Sequence, residues 1–191
     1  MELVFATHNQ NKFGEVLKLM PKHIKLLSLD MIDCCDEIEE IGKTLEENAK
    51  IKADFVSRNY GYNCFSDDTG LLVDALNGEP GVYTARYGGL AKDANANMDK
   101  LLSNLKDNKN RKAHFKTAIA LNLDSNSYIF EGIVEGTIAK DKRGEKGFGY
   151  DPVFVPDGYQ KTFAELPLAI KNEISHRGRA IQKLITFLQS S

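Results

Sequence analysis

Asp67 and Asp68 stand side by side in "FSDDTGLLVDALNGEPGVYTARYGG" (65–89), directly after an apolar run. Adjacent carboxylates repel each other unless something positive or well hydrated lies between them. Mg2+ meets that requirement, since it takes oxygen ligands, commonly one or two carboxylates completed by waters and substrate phosphates. The residue types alone equally allow Asp67 to bond backbone in a turn while Asp68 is solvated. The D-x-D-x-T signature of haloacid-type phosphatases is not met, because no residue separates the two acids. Glu39 and Glu40 in "EIEEIGKT" (37–44) are a second source of carboxylate, on a loop ahead of a predicted helix. A solvated acidic loop is the plain alternative. That segment ends in Gly-Lys-Thr, but Glu37 occupies the place where a P-loop needs its first glycine.

Three further clusters carry chemistry-bearing types. In "THNQNK" (7–12) a polar group sits where a buried strand should turn into a helix, the place where α/β proteins bind anions. Thr7 and Asn9 offer hydrogen bonds and Lys12 a point charge; an ordinary helix cap with a solvated lysine accounts for the same residues. In "GEKGFGYDP" (144–152) two glycines flank Phe148. They would let a ligand approach and the ring serve as a stacking platform, or simply make a tight turn with Phe148 in the core. Pro152 rules out G-x-G-x-x-G. In "LAIKNEISHRGRA" (168–180), Lys171, His176, Arg177 and Arg179 gather at a predicted helix start, where cations oppose the helix dipole. Residues set against a local rule are candidates for function; a solvated basic face is the alternative.

The elements that must position these clusters follow from periodicity. "LVFAT" (3–7) reads as a buried strand, and Phe13, Val16, Leu17 and Met20 as a helix stopped by Pro21. "HIKLLSL" (23–29) is a second strand. Thr44 and Glu47 have capping-box spacing, which starts a helix at Lys43–Leu45 that ends near Gly61. Cys64–Ser66 and the Leu71–Val73 stretch read as separate short strands. Met98, Leu101, Leu102 and Leu105 mark a helix. "HFKTAIALNL" and "SYIFEGIVEGTIAK" form a hairpin turning at Ser125–Asn126. Ile181, Leu184, Ile185 and Leu188 mark a final helix with Ser175 as its N-cap. Strand–helix alternation followed by a long hairpin predicts a mixed α/β fold.

Composition narrows the function classes. The 191 residues are 42% apolar, enough for one substantial core or two lobes, and a net charge of −2 gives no reason to expect nucleic acid or an anionic membrane as partner. No apolar stretch approaches the roughly 20 residues that span a bilayer. "MELVFATHNQNK" lacks a secretory signal, so the expected compartment is the cytoplasm. Cys34, Cys35 and Cys64 fit neither a disulfide framework nor a zinc pattern and are expected as thiols.

Taken in order, "LVFATHNQNKFGEV", "EIEEIGKTLEENAKIKA", "FSDDTGLLVDALNGEPGVYTARYGG", "GFGYDPVFVPDGYQKTFAEL" and "KNEISHRGRAIQKL" resemble the inosine/xanthosine triphosphate pyrophosphatase family across most of the chain. The resemblance implies one nucleotide pyrophosphatase domain over 1–191, an elongated mixed α/β sheet with flanking helices, and two lobes around a central nucleotide-binding cleft. It implies hydrolysis of non-standard purine triphosphates (ITP, dITP, XTP) to monophosphate and pyrophosphate, a need for Mg2+, and a homodimer. Carried over by position, Thr7, His8, Asn9, Gln10, Asn11 and Lys12 resemble triphosphate contacts, His8 through its backbone alone. Glu39 and Asp68 resemble the metal ligands, and Asp68 also the proton acceptor. Thr69 resembles a substrate contact, where bacterial members often carry serine. Phe148, Gly149, Tyr150, Asp151, Lys171, His176 and Arg177 resemble the base pocket. On the residues alone, a Mg2+-dependent phosphomonoesterase, a general nucleotide pyrophosphatase and a non-catalytic nucleotide-binding module stay open.

Overall fold

The computed structural model describes residues 1–190. Its elements are β1 (Glu2–Phe5), α1 (Gln10–Leu19), β2 (Lys25–Leu27), α2 (Leu45–Tyr60), β3 (Cys64–Val73), α3 (Ala94–Asn104), β4 (Lys112–Leu123), β5 (Asn126–Ile138), β6 (Phe154–Pro156), α4 (Leu168–Ile174) and α5 (His176–Ser190). The six strands form one mixed sheet in the order β2-β1-β3-β4-β5-β6. The fold class expected from the alternation of strands and helices is therefore the one observed. Two compact units share the chain. One comprises Met1–Asp68, Thr117–Gly132 and Arg177–Ser191; the other comprises Thr69–Lys116 and Ile133–His176.

In the first unit β1 pairs in parallel with β2 and with β3. Strand side chains alternate between faces, and the core obeys this. Leu3 and Phe5 pack with Val16, Phe65, Ile181 and Leu184 on one face. Val4 and Ala6 pack with Leu27, Val56 and Cys64 on the other. The Phe5 and Phe65 rings stack with centroids 4.6 Å apart. The helix ends follow their local chemistry. Asn9 caps α1, its Oδ1 accepting from the Asn11 and Lys12 N–H groups. Thr44 caps α2 by accepting from Glu47 N–H, while the Glu47 carboxylate reaches back to Lys43 N–H. Gly61 closes α2 in the left-handed conformation at φ 73°, a geometry that favours glycine.

In the second unit Leu71, Leu101, Phe115, Val153, Phe154 and Phe163 form the core. β6 pairs antiparallel with β5. The β4–β5 turn falls at Asp124 and Ser125, both at positive φ, one residue earlier than the spacing predicts. One expectation is corrected: β3 is a single ten-residue strand rather than two short ones. α4, which no periodicity announces, is a helix of its own, and Ser175 directly precedes α5, the position expected of its N-cap. Cys34, Cys35 and Cys64 are free thiols, as expected. No helix among the described residues is long and apolar enough to cross a membrane.

Candidate active site

Because β3 runs unbroken through Asp67 and Asp68, the two acids point to opposite faces of the sheet. Adjacency in sequence is thus not adjacency of charge, and each acid finds its own partners. Asp67 lies on the Phe65 face and is 1% exposed. Lys12 Nζ from the first turn of α1 reaches its Oδ1 at 2.9 Å, and Arg177 Nε from the first turn of α5 reaches its Oδ2 at 3.0 Å. Arg177 Nη1 in turn holds Glu15 Oε2 at 2.6 Å. Two cations and two anions alternate in this buried set. Burial alone would raise the Asp67 carboxyl, but Lys12 and Arg177 outweigh it and hold the group well below the usual carboxylate range.

Asp68 lies on the Ser66 face, toward α2. Ser66 Oγ donates to the Ala49 carbonyl, which keeps strand and helix in close contact. Asn48 Nδ2 donates to Asp68 Oδ2 at 3.0 Å, and Lys52 Nζ stands 3.9 Å from Asp68 Oδ1. Lys52 also binds Glu40 Oε1 at 2.6 Å. Burial raises the Asp68 carboxyl above its ordinary value, with Lys52 opposing that only in part. A carboxylate raised by burial accepts a proton more readily than one in water. Glu39 is exposed and makes no ion pair or hydrogen bond among the described residues, whereas its neighbour Glu40 is tied through Lys52 toward Asp68.

The 7–12 segment is the helix cap that its types allow, with Thr7 Oγ1 accepting from Asn9 N–H. Lys12 is not the solvated lysine of the plain alternative, because it is bound to Asp67. Gln10 and Asn11 open α1. The ring of His8 does more than its backbone reading allows: Nε2 donates to the Asp36 carbonyl at 2.9 Å, and Tyr60 Oη donates to the Asp36 carboxylate at 2.6 Å. The loop bearing Glu39 and Glu40 is therefore tethered at Asp36.

In the second unit Lys171 Nζ binds Asp151 Oδ2 at 2.6 Å, both side chains buried. The same ammonium sits 4.9 Å from the centre of the Phe148 ring. Phe148 N–H donates to Asp151 Oδ2. Gly147, at φ 77°, has no room for a Cβ, which would collide with that carboxylate. Phe148 is only partly buried and so is neither a core residue nor fully exposed. Tyr150 Oη donates to the Thr84 carbonyl. His176 stacks on Phe115 with centroids 4.5 Å apart. Gly149 takes a positive φ of 63° beside Phe148. Thr69 is half-buried on β3, next to Asp68.

A family model described as Ham1 family matches residues 3–187, nearly the whole chain. The chain belongs to the Ham1 family. It is 56% identical over 191 residues to a Flavobacterium johnsoniae protein named dITP/XTP pyrophosphatase, with full coverage of both chains. It is 47% identical over 188 residues to a protein of the same name from Porphyromonas gingivalis, covering 98% of this chain and 97% of the relative. Among solved structures, the Staphylococcus aureus Ham1 protein superposes with TM-score 0.91 at 39% identity, covering 100% and 99% of the two chains. A HAM1 protein from Coxiella burnetii gives 0.93 at 38%, with both chains fully covered. Four Ham1-fold residues that contact the predicted site escape the sequence reading or receive no role there: Glu15, Glu40, Asn48 and Lys52. For two of them a signal exists. Asn48 and Lys52 are four apart on α2, beside the buried stripe of Leu45, Ala49, Ala53 and Val56, so polar residues border the buried face.

Proposed function

We propose that this protein hydrolyses the non-standard purine nucleoside triphosphates ITP, dITP and XTP to the monophosphate and pyrophosphate, clearing them from the cytoplasmic nucleotide pool. The observation that carries the reading is the setting of Asp68, a buried carboxylate held by Asn48 and faced by Lys52. It stands in a chain that matches dITP/XTP pyrophosphatases end to end. Asp68 takes a proton from a water as that water's oxygen bonds to the α-phosphorus. The bond from the α-phosphorus to the bridging oxygen breaks, and pyrophosphate leaves with the electron pair. Lys12 and the start of α1 offer positive charge to the polyphosphate. Lys12 is held in place for that by Asp67.

The donor set fits a hard divalent ion. Among the described residues no three His, Cys, Asp or Glu side chains group to hold a metal, but Mg2+ needs only one or two carboxylates when phosphates and waters complete its shell. Asp68 would hold it with Glu39 or Glu40 from the tethered loop, where Lys52 binds Glu40 and faces Asp68. When bound, the ion would offset charge developing on the phosphate oxygens.

Base choice is assigned to Phe148–Asp151, Lys171 and His176, all of the second unit. Lysine presents donors only. Hypoxanthine and xanthine carry a keto oxygen at C6, where adenine carries an amine. A buried donor facing a donor costs about 1–3 kcal/mol, and polar pockets use such mismatches to reject analogues strongly. Guanine shares the keto group, so its C2 amine must be what is refused. With a panel of triphosphates and Mg2+, kcat/KM should be highest for ITP or XTP, lower for GTP and lowest for ATP. ATP hydrolysed as well as ITP would sink the donor argument and favour a general nucleotide pyrophosphatase. A homodimer is part of the same reading, and Leu90, 90% exposed, with Tyr83 offers apolar surface for it. Light scattering at micromolar concentration should return twice the 21.3 kDa chain mass; a monomer mass would refute the dimer.

A further inference from the structure

The protein uses one asparagine device twice, with different endpoints. Asn97 is the fourth residue of α3, after the N-cap Asp93. Its Oδ1 accepts from Gly88 N–H and its Nδ2 donates to the Ala85 carbonyl, so it fastens a loop to a helix and, among the described residues, hydrogen-bonds backbone alone. Asn48 is the fourth residue of α2, after the N-cap Thr44, and is 1% exposed. Its Oδ1 accepts from Gly42 N–H at 2.8 Å, but its Nδ2 donates to the Asp68 carboxylate at 3.0 Å. The amide orientation is forced. A backbone N–H can only donate, so Gly42 fixes the oxygen on its own side and the NH2 must face Asp68. The fit at Gly42 is tight. A Cβ there would lie 2.6 Å from Asn48 Oδ1 and 2.9 Å from Asn48 N.

We propose that Asn48 is the positioning residue of the reaction: its side-chain amide, clamped by Gly42, fixes Asp68 Oδ2 and thereby sets the direction in which Asp68 meets the attacking water. This rests on the reading of Asp68 as proton acceptor. The interaction also ties the loop carrying Glu39 and Glu40 to the strand carrying Asp68, since Gly42 ends that loop.

The test compares purified full-length Asn48→Ala, Asn48→Asp, Gly42→Ala, Asn97→Ala and Asp68→Asn for XTP turnover, KM and thermal melting. Asn97 is the matched control, buried in the same way but bonded only to backbone. Asn48→Ala should lower kcat about 10–100-fold, the scale of a misoriented reacting group, while KM stays within about threefold. Asn97→Ala should lower the melting temperature and leave kcat of the folded enzyme within about twofold. Asn48→Asp keeps the acceptor for Gly42 but sets an oxygen against Asp68, so its kcat should fall at least as far although the loop remains held. Gly42→Ala, which crowds the same amide from the loop side, should also lower kcat and carries the test if the Asn48 variants do not fold. Any folded Asn48 variant, or in their absence Gly42→Ala, with wild-type kcat would overturn the proposal. So would a kcat loss no greater than that of Asn97→Ala. An inactive Asp68→Asn beside an active Asn48→Ala would remove only the positioning role; an active Asp68→Asn would remove the reading beneath it.

Discussion

Asp68→Asn should lower kcat for XTP by about 10²–10⁴-fold, the range for a positioned acid–base group, with the melting temperature preserved. The amide keeps the size of the carboxylate but cannot take a proton at neutral pH. The fold has little to lose, because burial already disfavours the Asp68 charge. Removing an anion that burial opposes does not cost the native state an ion pair of good geometry, since Lys52 stands 3.9 Å from Asp68 and binds Glu40 at 2.6 Å. Steady-state kinetics with XTP and Mg2+ measure the effect. Turnover within about threefold of the native chain would take Asp68 out of the chemistry.

Asp67→Ala should do the reverse and strike stability first. Its carboxylate is the shared partner of Lys12 and Arg177 in a buried set. Deleting one member of such a set leaves uncompensated charge, at a cost of about 3–5 kcal/mol. Glu15 still faces Arg177, so Lys12 bears most of the loss. The same carboxylate sets a pH dependence. Its folded pKa is depressed, so its contribution is fully present above the ordinary carboxylate value of about 3.9 and is lost as pH falls through the lower folded value. Acid unfolding of the native chain should therefore steepen below about pH 4, and Asp67→Asn should flatten that limb. Urea titrations across pH check both; a loss under about 1 kcal/mol for Asp67→Ala would show that the buried set contributes little.

Much of this fold is legible because its signals are local. Thr44 and Glu47 announce a start of α2 within Lys43–Leu45 and Gly61 its end, and the helix runs Leu45–Tyr60 between those two caps. The alternation in β4 and β5 gives the hairpin within one residue of its turn. β3 is misread for a physical reason. Two acids in a row look like a turn when their partners are unknown, and those partners lie 55 and 110 residues away at Lys12 and Arg177. β6 has three residues and α4 seven, too short for a period to declare itself.

The candidate site divides along the same line. Residue types in "THNQNK", "SDDTG" and "SHRGRA" single out segments that the structure joins at Asp67, but not which acid serves which purpose. Only the pleat of β3 separates Asp67, held between Lys12 and Arg177, from Asp68, held by Asn48. Glu40 rather than the exposed Glu39 contacts Lys52, a distinction that a loop sequence does not carry.

In the proposed reaction, water attacks the α-phosphorus and pyrophosphate leaves. The most direct measurement is to incubate the protein with XTP and Mg2+ and separate the products by ion-exchange chromatography. Xanthosine monophosphate and pyrophosphate should form in equal amounts, with both absent from Asp68→Asn. Orthophosphate with xanthosine diphosphate as the first products would contradict it and point to attack at the terminal phosphate.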